Sequence, residues 1–160
     1  MLKNKFKNIL LALLLLLSIG LCYLIFGIHF QTSELNDCTA TVRYQDTETV
    51  SEIDITFFYL SPHHVVIRLY GFTNKNGTIY KIFRLADTFY EGSGNRFLFK
   101  VTKSTIDPSD TLPDALARKN QIYNYGKFNG FYFTINRLDE RNLSFVMNNL
   151  PLFVCTQIER

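Results

Sequence analysis

The residues best able to do chemistry are His63-His64, the carboxylates Asp107, Asp110 and Asp114, the pair Asp139-Glu140, the turn-like Gly92-Ser93-Gly94, and Cys22, Cys38 and Cys155. Each suggests a reaction class and each lacks the neighbours that class needs. Adjacent residues of a strand point to opposite faces, so His63 and His64 do not share one metal easily. No further His or Cys stands at ligand spacing, and neither H-E-x-x-H nor paired C-x-x-C occurs. The pair therefore reads as a loop or strand end following Pro62. Gly92-Ser93-Gly94 lacks the G-x-S-x-G frame of a nucleophile elbow and reads as a turn. The carboxylate clusters fall in turn-like stretches, where such groups are solvated rather than held in a cleft with a shifted pKa. Asn76-Gly77-Thr78 and Asn142-Leu143-Ser144 match the glycosylation sequon, which matters only in a eukaryotic secretory host. No phosphate-binding Gly loop is present. The expectation is a protein that is not an enzyme, with no catalytic, metal or cofactor-binding residues.

The elements that would position these residues follow from hydrophobic period. From Ile9 to Ile28 the chain carries no charge, and at about 1.5 Å per residue this run spans a bilayer core of about 30 Å. A cleaved signal peptide would end sooner and would leave Leu21 to Ile28 as a greasy mature terminus. Lys3, Lys5 and Lys7 precede the run, and Glu34 and Asp37 follow it. That asymmetry puts the N-terminus in the cytoplasm and the folded part across the membrane. Gly20 and Gly27 offer a face for a second helix, although Gly is common in membrane helices anyway. The 160 residues have a formal charge of +3. Once the three leading lysines are set aside, basic and acidic residues balance, so no cationic nucleic-acid surface is expected. The expected organisation is a tail at 1–8, an anchor at 9–30, a link at 31–37 and an exported β domain at 38–160.

In that domain the period is two. Ile53, Ile55, Phe57 and Tyr59 alternate with Glu52, Asp54 and Thr56. Val65, Ile67 and Leu69 repeat the period with Arg68 on the other face, then Phe97, Phe99 and Val101 around Lys100, then Phe131, Phe133 and Ile135 around Thr134 and Asn136. Less regular strands are expected at 39–45, 78–86, 143–148 and 152–157. Asn76-Gly77 suits a tight hairpin, and Thr111 with Pro113 suits the start of one short helix running to Gln121. About eight antiparallel strands make a barrel or a sandwich. Cys38 opens the first strand and Cys155 lies in the last; in an oxidising compartment they read as a disulfide rather than two free thiols, which favours the barrel. The domain holds most of the Phe and Tyr, including Tyr44, Tyr59, Tyr70, Tyr80 and Tyr132. Such a lining could fill the barrel or hold a lipophilic ligand; at this size filling is favoured.

The layout of lysine-bearing N-terminus, single anchor ending near Phe30, Cys38 at the head of a β domain and Cys155 near its end resembles the FidL-like membrane proteins of enteric bacteria. The resemblance implies an inner-membrane protein with a periplasmic domain that accompanies a membrane-bound regulator carrying a cytoplasmic winged-helix DNA-binding domain. By analogy with ToxS-type partners of ToxR-type regulators, it implies signal transduction through a protein partner, and a lipocalin-like barrel with a bile-salt or lipid ligand as the alternative. It transfers no site residue, and the chain itself would not touch nucleic acid.

Overall fold

A computed structural model describes residues 14–22, 35–118, 123 and 130–158. The chain divides into two units, residues 1–34 and 35–160. In the first, residues 14–22 are helical and include Gly20; Lys3, Lys5, Lys7 and Gly27 lie outside the described residues. Among the described residues no helix is long and apolar enough to cross a membrane. Most of the expected anchor at 9–30 falls beyond them.

The second unit is a closed antiparallel barrel with strands in sequence order: β1 (Cys38–Gln45), β2 (Thr49–Ser61), β3 (His64–Lys75), β4 (Thr78–Ser93), β5 (Arg96–Ile106), β6 (Phe131–Arg137), β7 (Asn142–Met147) and β8 (Leu150–Gln157). The sandwich alternative is excluded by this closure. Period-two patterning explains the arrangement. Ile53, Ile55 and Phe57 of β2, Val65, Ile67 and Leu69 of β3, and Ile82 and Ala86 of β4 are all buried. Two-residue turns join β3 to β4 and β7 to β8: Asn76 and Gly77 both take positive φ, as do Asn148 and Asn149, the backbone a tight hairpin needs. β4 runs seven residues beyond its expected end at Ala86, because Thr88 and Tyr90 continue the inward alternation past a register shift at Asp87/Thr88.

Aromatic rings fill the middle. Phe57 stacks on Phe145 at 4.8 Å between centroids, and Phe145 stacks on Phe153 at 4.9 Å. Phe99 lies against Phe131 and Phe133 at 5.6 and 5.5 Å. Eight strands enclose a space that side chains of this size can occupy fully. Close packing also constrains β3 at Gly71. A Cβ there would stand 2.1 Å from the Glu52 carbonyl oxygen and 2.8 Å from the Ile53 Cα, so backbone would have to move. Gly71→Ala is expected to cost about 1–3 kcal/mol in denaturant unfolding of the full-length chain.

The expected helix is shorter than its sequence pattern. It covers Asp114–Ala117, with Pro113 rather than Thr111 at its N-cap position. The Thr111 hydroxyl instead accepts the Lys81 amide hydrogen at 2.8 Å, and its own amide donates to the Lys81 carbonyl. Competition from the β4 backbone thus takes the residue that local sequence assigns to capping. The remainder of the expected helix, residues 119–121, lies outside the described residues.

Candidate functional site

The barrel has two ends and a wall, and each gathers different chemistry. At the far end, where β4 begins, Arg84 points inward from β4 among apolar neighbours. Its side chain is 8% exposed and that of its partner Asp110 only 1%. Arg84 Nε donates to Asp110 Oδ2 at 2.8 Å, Nη2 to Oδ1 at 3.2 Å, and Nη1 to the Tyr123 carbonyl at 2.9 Å. Asp110 also accepts the amides of Phe83 and Leu112. Burial alone would raise the Asp110 pKa; the Arg84 hydrogen bonds, the two amides and the guanidinium charge outweigh it and hold the carboxyl below its ordinary value. Asp110 is therefore not the solvated turn carboxylate its sequence neighbours suggest. The signal was available in β4, where Arg84 occupies an inward register between Ile82 and Ala86.

The other acidic residues do build turns. Asp107 accepts both the amide and the hydroxyl of Ser109, whose bonds lower its pKa. Asp139 accepts from the side chain of Asn142 and from the amides of Arg141 and Asn142, with the same effect. Glu140 follows in that turn. Histidines 63 and 64 part company: His63, at φ 70°, sets its Nδ1 3.1 Å from the Tyr90 carbonyl, while His64 Nε2 lies 2.5 Å from Asp87 Oδ1. Gly92-Ser93-Gly94 ends β4 in a turn with Gly94 at positive φ. Among the described residues no three His, Cys, Asp or Glu side chains gather as a metal site would require. Asp107 and Asp139 thus fix turn backbone, and His64 pairs with a side chain.

The space available separates ligand classes. Beside the far-end cluster, a cavity of about 50 Å³ lies among Tyr44, Ser51, Thr73 and Tyr123. That is room for a water or two and well below the several hundred Å³ of an ordinary ligand pocket. At the opposite end, a groove of about 640 Å³ opens between Asp37, Tyr59, Glu140, Arg141 and Gln157. Its polar lining does not suit a lipophilic molecule. The Tyr59 hydroxyl and Gln157 Nε2 are buried there with no hydrogen-bond partner among the described residues. Burial, with the neighbouring Tyr90 and Asp37 charges, pushes the Tyr59 pKa up, so its hydroxyl stays protonated.

The wall offers two apolar surfaces. Cys38 and Cys155 form a disulfide across the β1/β8 junction, with Cα atoms 5.5 Å apart. Ladder pairing there is confined to Cys38 with Gln157 and Thr39 with Thr156. Among the described residues, the rest of β1 and β8 form no further ladder pair with each other, and Leu152 and Val154 stand exposed on β8. Across β3 and β4, Tyr70, Phe72, Ile79 and Leu85 are exposed on the outer face, with Tyr70 59% and Ile79 63% accessible. Phe83 meets Tyr70 edge-on at 5.9 Å. Aromatic content placed Tyr70 among a possible inner lining; alternation from the buried Leu69 and the register put it outside, opposite Phe83.

Compared with known proteins, the chain matches no protein-family model and no curated protein sequence.

Proposed function

We propose that the protein is a non-enzymatic interaction module. In this reading a single membrane anchor at 9–30 holds the chain in the inner membrane, with its N-terminus cytoplasmic and its barrel periplasmic. The barrel docks the exported domain of a membrane partner, which the layout resemblance identifies as a winged-helix transcription regulator. The observation that carries the reading is the sparse pairing of β1 with β8. Two strand edges that, among the described residues, share only two ladder pairs, with Leu152 and Val154 exposed on β8, are the feature to which an extended segment of another protein adds. Filling of the interior by Phe57, Phe99 and Phe145 supports a surface role over the alternative, a lipocalin-like module for a bile-salt or lipid ligand. Photo-crosslinking from Leu152 in native membranes tests this. A single abundant heterologous adduct is expected, and recovery of the protomer alone would overturn the reading. Native mass spectrometry of the full-length chain checks the alternative: co-purified lipid or bile salt would favour it.

A further inference from the structure

The outer face of β2, β3 and β4 carries a charge pattern that the monomer does not use. Register aligns Glu52 with Phe72 and Phe72 with Lys81, so the three form one row across the wall. All three are exposed. Strands lie about 4.8 Å apart, which leaves Glu52 and Lys81 about 10 Å apart at the backbone with an aromatic ring between them. Among the described residues neither side chain has an ion-pair partner. Tyr70 and Phe83 extend the apolar centre in the next row, beside Asp54. The face is thus acidic on the β2 flank, aromatic along β3 and basic on the β4 flank.

We propose that this face docks a second copy of the same chain through an isologous contact whose two-fold axis runs along β3. Rotation about that axis lays β2 of one copy over β4 of the other at the same height. Phe72 then meets its own counterpart, and Glu52 of each copy meets Lys81 of the other, twice. An in-plane axis perpendicular to the strands would set Glu52 against Glu52 and Lys81 against Lys81, so the charges select one arrangement. Arg68 is the one like-charge pair near the axis. It is drawn back over the Phe58 ring at 5.1 Å and reaches toward the Thr56 hydroxyl, on the β2 side. Convex barrels also diverge by its row, four residues along the strand from Phe72.

The same axis leaves both chains entering their barrels from one end, as two chains anchored in one membrane must. That point rests on the anchor reading; the charge pattern does not. Tethering in one membrane raises the effective concentration, so a contact of modest area suffices.

Charge reversal tests the contact in the full-length chain in detergent micelles, read by native mass spectrometry. Glu52→Lys and Lys81→Glu are each expected to weaken the dimer by about tenfold or more, since each creates two like-charge contacts. The double variant is expected to restore it. In a Cys22→Ser background, Phe72→Cys is expected to crosslink between copies in membranes, whereas Tyr132→Cys, on β6, is not. A monomeric wild-type chain with no crosslink at position 72 would overturn the proposal. So would a dimer indifferent to both single reversals, or a double variant no better than the singles. Capture of a heterologous partner from Leu152 would leave these outcomes unchanged, so the two readings fail separately.

Discussion

Asp110→Asn is expected to destabilise the barrel by about 3–5 kcal/mol, among the largest effects of any single substitution in this chain. The reason is the asymmetry between making and breaking a buried ion pair. Arg84 and Asp110 are both shielded from water, and the two hydrogen bonds between them compensate the loss of hydration. An asparagine keeps the shape but leaves the guanidinium charged, buried and opposed by nothing of like magnitude. Replacing both partners, as in Arg84→Met with Asp110→Leu, removes the uncompensated charge and is expected to cost less than the single change. The residual cost comes from the Tyr123 and Leu112 carbonyls and the Phe83 and Leu112 amides, which lose their partners. Denaturant unfolding of the wild type, both singles and the double gives the coupling directly, and a strictly additive cycle would refute it.

The same pair sets an acid limit. The Asp110 carboxyl has a lower pKa folded than unfolded. Its stabilisation is therefore complete above the unfolded value of about 3.9 and is lost as pH falls through the folded one. The wild type should lose stability below about pH 4 more steeply than the double replacement does. Far-end packing would be the first to respond, since Asp110 fixes the segment Asp107 to Leu112 to the β4 edge through Phe83.

How much of this was legible in the sequence depends on whether a residue's neighbours are near in chain or in space. Ile53, Ile55 and Phe57 announce a half-buried strand because each lies two residues from the next, and Asn76-Gly77 announces its turn for the same local reason. Cys38 and Cys155 were legible despite their separation because oxidised cysteines seek each other and, with Cys22 assigned to the expected anchor, no other pair remains. Asp110 was not legible: its turn-like context argues for water, and only the fold brings Arg84 to it across 26 residues. Tyr70 and Lys81 fell between the two cases. Alternation shows that a side chain faces one side or the other, but the register across three strands is what aligns Glu52, Phe72 and Lys81 into one row.

Removing the disulfide should be as costly as breaking the buried pair, for a different reason. Cys38 and Cys155 close a loop of 117 residues. On the chain-entropy account that restriction of the unfolded state is worth about 4–5 kcal/mol. The joint variant Cys38→Ser with Cys155→Ser is expected to lose that amount in denaturant unfolding, and the loss should be local before it is global. Every other junction of the barrel has at least four ladder pairs, whereas β1 and β8 share two, immediately beside the disulfide. Without it, amide hydrogen exchange should accelerate first along Cys38–Gln45 and Leu150–Gln157, while β3 and β4, paired over twelve residues, stay protected. Uniform acceleration through all eight strands would show instead that the barrel opens as one unit and that the junction has no separate weakness. The local outcome also bears on partner docking, because the edge that Leu152 and Val154 flank is held at a defined spacing by the same covalent bond. A reduced chain should then fold more loosely at that edge and give less of the heterologous crosslink from Leu152, with the Phe72 crosslink between copies unaffected.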